Sequence, residues 1–174
     1  VRKEQSAKPA FYVAAIILTF FGTYLLVRWC ASSFDSATPL RIILGVIAAA
    51  LIGFSLLGII RNRAAPSPDD SAARSRKRRA YAFITGAEAL GIYVLANVLT
   101  TRGHAEWINA ALILIVGLHF LPLARVFKHR AYLATGAALI AIAIVLPQFA
   151  TGGAGSPLLL LFSGLVLWLT AAHC

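Results

Sequence analysis

The sequence predicts an all-α, polytopic membrane protein of six transmembrane helices, and three observations carry that reading. The chain is 60% hydrophobic and only 13% charged, where soluble domains carry about 25% charged residues. Its apolar residues fall in six long runs, more apolar surface than a water-soluble core of this size absorbs. Its basic residues sit in short clusters between those runs, which is how membrane proteins distribute charge. The formal charge of +10 would otherwise suggest a nucleic-acid partner; the clustering argues against one.

A helix needs about 20 apolar residues to cross a hydrocarbon layer of roughly 30 Å, and it satisfies its own backbone groups there. The expected spans, in one integral membrane domain covering 1–174, are 9–27, 42–60, 80–99, 107–124, 131–149 and 157–172. The first follows Arg2, Lys3 and Lys8, a start that also fits a secretory signal. Its apolar stretch is longer than a usual signal core, however, and no small-x-small cleavage site follows. Arg28 and Trp29 likewise stand where a lipoprotein signal at Cys30 needs small residues. The second span lies between Arg41 and Arg61, and the third follows a run of basic residues. The fourth opens at Trp107 and contains Pro122; the fifth carries Pro147 near its end. Gly152, Gly153, Gly155 and Ser156 form the turn into the sixth, since glycines favour a chain reversal. The longest connection, 61–79, contains Pro66, Pro68, Asp69 and Asp70 among serines and alanines, which predicts a flexible polar loop.

Orientation follows from the basic residues, because loops retained in the cytoplasm carry the excess of Lys and Arg. The N-terminal tail, the second loop and the fourth loop hold thirteen of the sixteen, against Arg28, Arg41 and Arg102 on the opposite side. Both termini are therefore expected on the cytoplasmic side of the membrane. Trp29 and Trp107 fall at outer ends and Tyr81 and Tyr132 at inner ends, matching the interfacial preference of amphipathic aromatics. Cys30 and Cys174 then lie at opposite faces, too far apart to pair. The run Arg74, Arg76, Lys77, Arg78, Arg79 reads first as a topology signal. Its second reading is contact with anionic lipid head groups, worth about 1 kcal/mol per basic residue.

An internal repeat is suggested by Arg79, Ala80, Tyr81 with Thr85, Gly86, Ala87, matched by Arg130, Ala131, Tyr132 with Thr135, Gly136, Ala137. A weaker echo is Lys8, Pro9, Ala10, Phe11, Tyr12, and the returning spans carry Gly53, Gly117 and Gly164. Three parallel hairpin repeats would follow. Small residues four apart, Ala82 with Gly86, Ala87 with Gly91, Ala49 with Gly53 and Ala137 with Ala141, would let helices approach closely. The three-hairpin pattern resembles the short-repeat, acid-resistance-associated six-helix membrane proteins of bacteria. Val116, Gly117, Leu118, His119, Phe120, Leu121, Pro122, Leu123, Ala124, Arg125 is similar to a stretch in uncharacterised small multi-pass bacterial proteins. These resemblances imply a bacterial inner membrane and supply no activity.

Glu88 is the one acidic residue well inside a predicted span, and a carboxylate there costs several kcal/mol unless neutral, paired or hydrated. It lies about 12 Å deep in the third span, and His119 about 7.5 Å deep in the fourth, depths that permit contact between consecutive antiparallel helices. Tyr81, Thr85, Gly91 and Ile92 share the face of Glu88. The pair is expected to accept protons along a polar path with Thr85, Tyr81, Asn97 and Asn109. The competing reading is a hydrogen-bonded staple between two helices. The repeat-equivalent positions Ala137, Ala138 and Val166 are apolar. Pro122, one turn after His119, frees a backbone carbonyl near that depth. His104 and Glu106 lack further ligands for a metal site. No phosphate-binding glycine loop and no nucleophile with a base is present, so no catalytic residue, metal or cofactor is expected. The expected function is a transporter- or channel-like role, proton-linked through Glu88 and His119. Its alternative is an accessory or structural subunit that binds a partner protein or lipid. Membrane lipids and a homo-oligomer or partner membrane protein are the expected associates.

Overall fold

The computed structural model describes residues 8–34, 38–61, 71–127 and 129–173, with side chains described from residue 12 onward and, within 71–78, at Ser75 alone. Among them are six α-helices and no strand: α1 Lys8–Ser33, α2 Thr38–Arg61, α3 Ser71–Thr101, α4 Ile108–Phe127, α5 Arg130–Phe149 and α6 Leu158–His173. The protein is an all-α membrane-type bundle. Five helices are long and apolar enough to cross a membrane; α6, at 16 residues, falls below that length, since it extends only about 24 Å.

The flexible loop expected over 61–79 needs correction. Helix α3 begins at Ser71, so Arg74, Arg76, Lys77, Arg78 and Arg79 are helical. From Ser71 to Arg79 there is no glycine or proline, and Ala, Arg and Lys are strong helix formers. Extending a helix already nucleated by the apolar span costs little. Residues 62–70, with Pro66, Pro68, Asp69 and Asp70, lie outside the described residues.

Helix α3 stops in a Schellman arrangement. The His104 N–H donates to the Leu99 carbonyl at 2.8 Å and the Gly103 N–H to that of Thr100 at 3.2 Å. Gly103 takes φ +76°, a left-handed conformation that costs glycine little. Gly152 and Gly153, at φ +94° and +58°, reverse the chain after α5 as their composition predicted.

The helices pack as two compact units, Val1–Pro66 with Leu160–Cys174, and Ser67–Leu159. In the first unit α1 packs on α2. Leu26, Cys30 and Leu44 are buried there against Val27, Trp29, Leu40, Leu161 and Trp168. Gly22 and Gly164 meet where α6 crosses α1: a Cβ at Gly22 would lie 3.1 Å from the Gly164 carbonyl, and one at Gly164 would lie 3.0 Å from that of Gly22. Beside this crossing the Trp168 indole N–H donates to Thr23 Oγ1 at 3.1 Å. In the second unit α4 packs between α3 and α5. Its tightest crossing is again reciprocal, with the Gly136 carbonyl 3.1 Å from a Cβ at Gly117 and the Gly117 carbonyl 2.8 Å from one at Gly136.

These crossings are not the small-residue pairs expected from spacing. Gly53 and Gly86 have nothing within 4 Å of an added Cβ, and Ala49, Ala82, Ala137 and Ala141 are exposed. Gly91 alone of that set has a neighbouring helix beside it, through Ile115 at 3.7 Å. Burial is distributed as lipid demands. Thr19, Ser55, Thr135, Ser163 and Thr170 are buried, whereas Phe20, Phe54, Phe83, Leu90 and Leu169 point outward. The buried hydroxyls of Thr19, Ser55, Thr135 and Thr170 donate to the carbonyl one turn earlier, so they need no water.

Candidate functional site

The polar centre of the second unit is built on the packing of α3 against α4. Helix α3 presents Thr85 and Glu88 on one face, and α4 presents His119 to it. His119 Nδ1 lies 3.0 Å from Glu88 Oε2, with 10% and 19% of the two side chains exposed. The imidazole also meets the main-chain carbonyl of Ile84, one turn before Glu88. Despite the short distance, Nδ1 does not reach hydrogen-bond geometry, and the buried Thr85 Oγ1 has no partner either.

That arrangement has a chemical reading. An imidazole that gives one N–H to the Ile84 carbonyl turns its other nitrogen to Glu88 as an acceptor, and an ionised carboxylate only accepts. Two acceptors 3.0 Å apart repel unless one of the two groups is protonated. Glu88 and His119 thus bring a carboxyl and an imidazole side by side across α3 and α4, with the Thr85 hydroxyl one turn away on α3.

Aromatic and apolar packing bounds this pair along the helices. Toward the end that carries Arg79, Arg125 and Arg130, Tyr81 meets Phe127 with ring centroids 6.4 Å apart. Phe127 meets Tyr132 at 6.2 Å, and Phe120 meets Tyr132 at 5.9 Å. Toward the opposite end Ile92, Leu95, Ala96, Ile108, Ala111, Leu112 and Ile115 line a void of about 10 Å³, at the lower limit of the space one water needs.

The other sequence-derived candidates are dispersed. Asn97 is exposed, and its side-chain amide donates to the Tyr93 carbonyl at 2.8 Å within its own helix. Asn109 is half-buried near the start of α4. His104 and Glu106 approach to 3.5 Å with largely exposed side chains, and no group of three metal-ligating residues occurs among the described residues. Pro122 lies inside α4, which continues through it to Phe127. Arg79 is exposed, while the side chains of Arg74, Arg76, Lys77 and Arg78 lie outside the described residues. Cys30 is a free, buried thiol. Sequence reasoning missed the aromatic cluster around Tyr132; the alternation Phe120, Phe127, Tyr132 across the α4–α5 turn was its available signal.

Comparison with family models, curated proteins and solved structures gives no match for this chain.

Proposed function

We propose that this chain is a small multi-pass protein of the bacterial inner membrane with a transporter- or channel-like role, in which Glu88 and His119 carry a proton-linked step. The observation that supports this reading is the incomplete satisfaction of the centre. His119 Nδ1 and Thr85 Oγ1 are buried without a hydrogen bond, whereas buried polar groups kept for packing are ordinarily paired. An intramembrane carboxylate beside an imidazole, with spare bonding capacity around it, is how proton relays are composed. The basic clusters motivate cytoplasmic placement of both termini, and the three-hairpin resemblance agrees with a bacterial inner membrane. Anionic lipids at the basic run Arg74–Arg79, and a second copy or a partner membrane protein, are the proposed associates.

Proton flux into proteoliposomes under an imposed pH gradient tests the reading, with Glu88→Gln compared at matched incorporation. Flux that vanishes in the variant is the expected result; flux of equal size in both proteins would remove Glu88 from any transport step.

A second reading, an accessory or structural subunit with Glu88 and His119 as a staple, is favoured by one observation. The pair is bounded by the Tyr81, Phe120, Phe127, Tyr132 cluster on one side and the Ile92–Ile115 apolar layer on the other. A staple predicts that Glu88→Gln lowers the melting temperature in detergent and that neither protein conducts.

A further inference from the structure

The turn between α4 and α5 holds a feature separate from the Glu88–His119 pair. Leu121, Ala124, Arg125, His129, Arg130 and Leu133 line an open cleft of about 440 Å³, within the size range of small-ligand sites. Its chemistry is divided in two. Arg125 in the last turn of α4 and Arg130 at the first residue of α5 stand at the rim with His129 between them. Leu121 and Leu133, about one turn farther into each helix, form the apolar wall.

Among the described residues no counter-charge is paired with the positive charge at the rim. Among the described residues the ion pairs are Glu88–His119 and His104–Glu106, neither of which involves these arginines. The first turn of α5 has no acidic residue, so its helix dipole adds to the field of Arg130 rather than offsetting it. Fixed positive charge above an apolar wall, at the end of two membrane-length helices, is complementary to one kind of molecule. We propose that this cleft binds a single anionic phospholipid, its phosphate between Arg125 and Arg130 and an acyl chain along Leu121 and Leu133. Guanidinium groups bind phosphate oxygens through paired N–H donors, and basic recesses between transmembrane helices take anionic head groups in this way. A topology signal requires the charges alone; the apolar wall beneath them distinguishes a lipid seat from such a signal.

Native mass spectrometry of the full chain in detergent, titrated with phosphatidylglycerol or phosphatidylcholine, tests the proposal. The expected result is one retained phosphatidylglycerol per chain in preference to phosphatidylcholine. The preference should fall about fivefold in Arg125→Gln or Arg130→Gln and about 25-fold in the double variant. Arg125→Lys with Arg130→Lys, which keeps the charge, should retain most of it, and Leu121→Ser with Leu133→Ser should weaken retention of both lipids. Should the double glutamine variant fail to fold, the single variants carry the same reading. Equal retention of the two lipids would overturn the proposal, as would unchanged preference in the glutamine variants. Displacement of the lipid by inorganic phosphate at equal concentration would also overturn it, by assigning the cleft to phosphate alone.

Discussion

Thr85 and His119 show how much depends on single polar atoms in a lipid setting. A buried hydroxyl without a partner costs about 1–3 kcal/mol, so Thr85→Val, which keeps the shape, should raise stability by about 1 kcal/mol. Thermal unfolding in detergent checks this, and a clear loss of stability would mean that the hydroxyl has a bonded partner in solution. For Glu88 and His119 a double-mutant cycle with Glu88→Gln and His119→Gln should return a coupling of about 0.6–2 kcal/mol, the range for polar contacts between membrane helices. A coupling near zero would show that the 3.0 Å approach contributes nothing to holding α3 on α4. Glu88 was legible as a candidate because a carboxylate in an apolar span is conspicuous. Its contact with His119 was legible only as a depth match, since the facing of two helices depends on their rotation. Asn97 illustrates the limit of such reasoning: it satisfies itself on the Tyr93 carbonyl, an option open to any exposed amide on a helix.

At the scale of helices, two close crossings are glycine against glycine, Gly22 with Gly164 and Gly117 with Gly136. Without side chains, backbones approach far enough for dispersion contacts to accumulate, and that packing drives helix association in lipid. Gly117→Ala and Gly136→Ala place a Cβ about 3 Å from a carbonyl or amide of the neighbouring helix, where no flexible side-chain end can yield. Each should cost about 1–3 kcal/mol by overpacking. Gly53→Ala and Gly86→Ala meet open space within 4 Å and should be neutral, or stabilising by up to about 1 kcal/mol through helix propensity. Unfolding in detergent of the four variants compares them directly; equal effects would contradict the crossing geometry. Five of the six glycines involved fall at the positions that the repeat aligns, namely Gly53, Gly86, Gly117, Gly136 and Gly164. Spacing identified small residues but not which ones touch, because a motif four residues long recurs throughout an alanine-rich helix.

For the whole chain, topology is the testable property, and Cys30 makes the test clean. Its thiol is buried, so an impermeant maleimide applied to intact cells reads Cys174. Both termini on the inner side predict no labelling until the membrane is opened; labelling of intact cells would overturn that orientation. The six helices, their order and most of their ends were legible in the sequence, because a backbone in hydrocarbon must bond to itself and about 20 apolar residues mark where it does. The outward extension of α3 to Ser71 was not, because polar composition describes a solvated helix and a loop alike. Tertiary structure alone decided which helices pair through glycine, that Glu88 and His119 meet, and that Arg125 and Arg130 border an apolar cleft. Each of these depends on helix rotation and crossing, which short-range packing sets and which a hydropathy pattern along one chain does not encode.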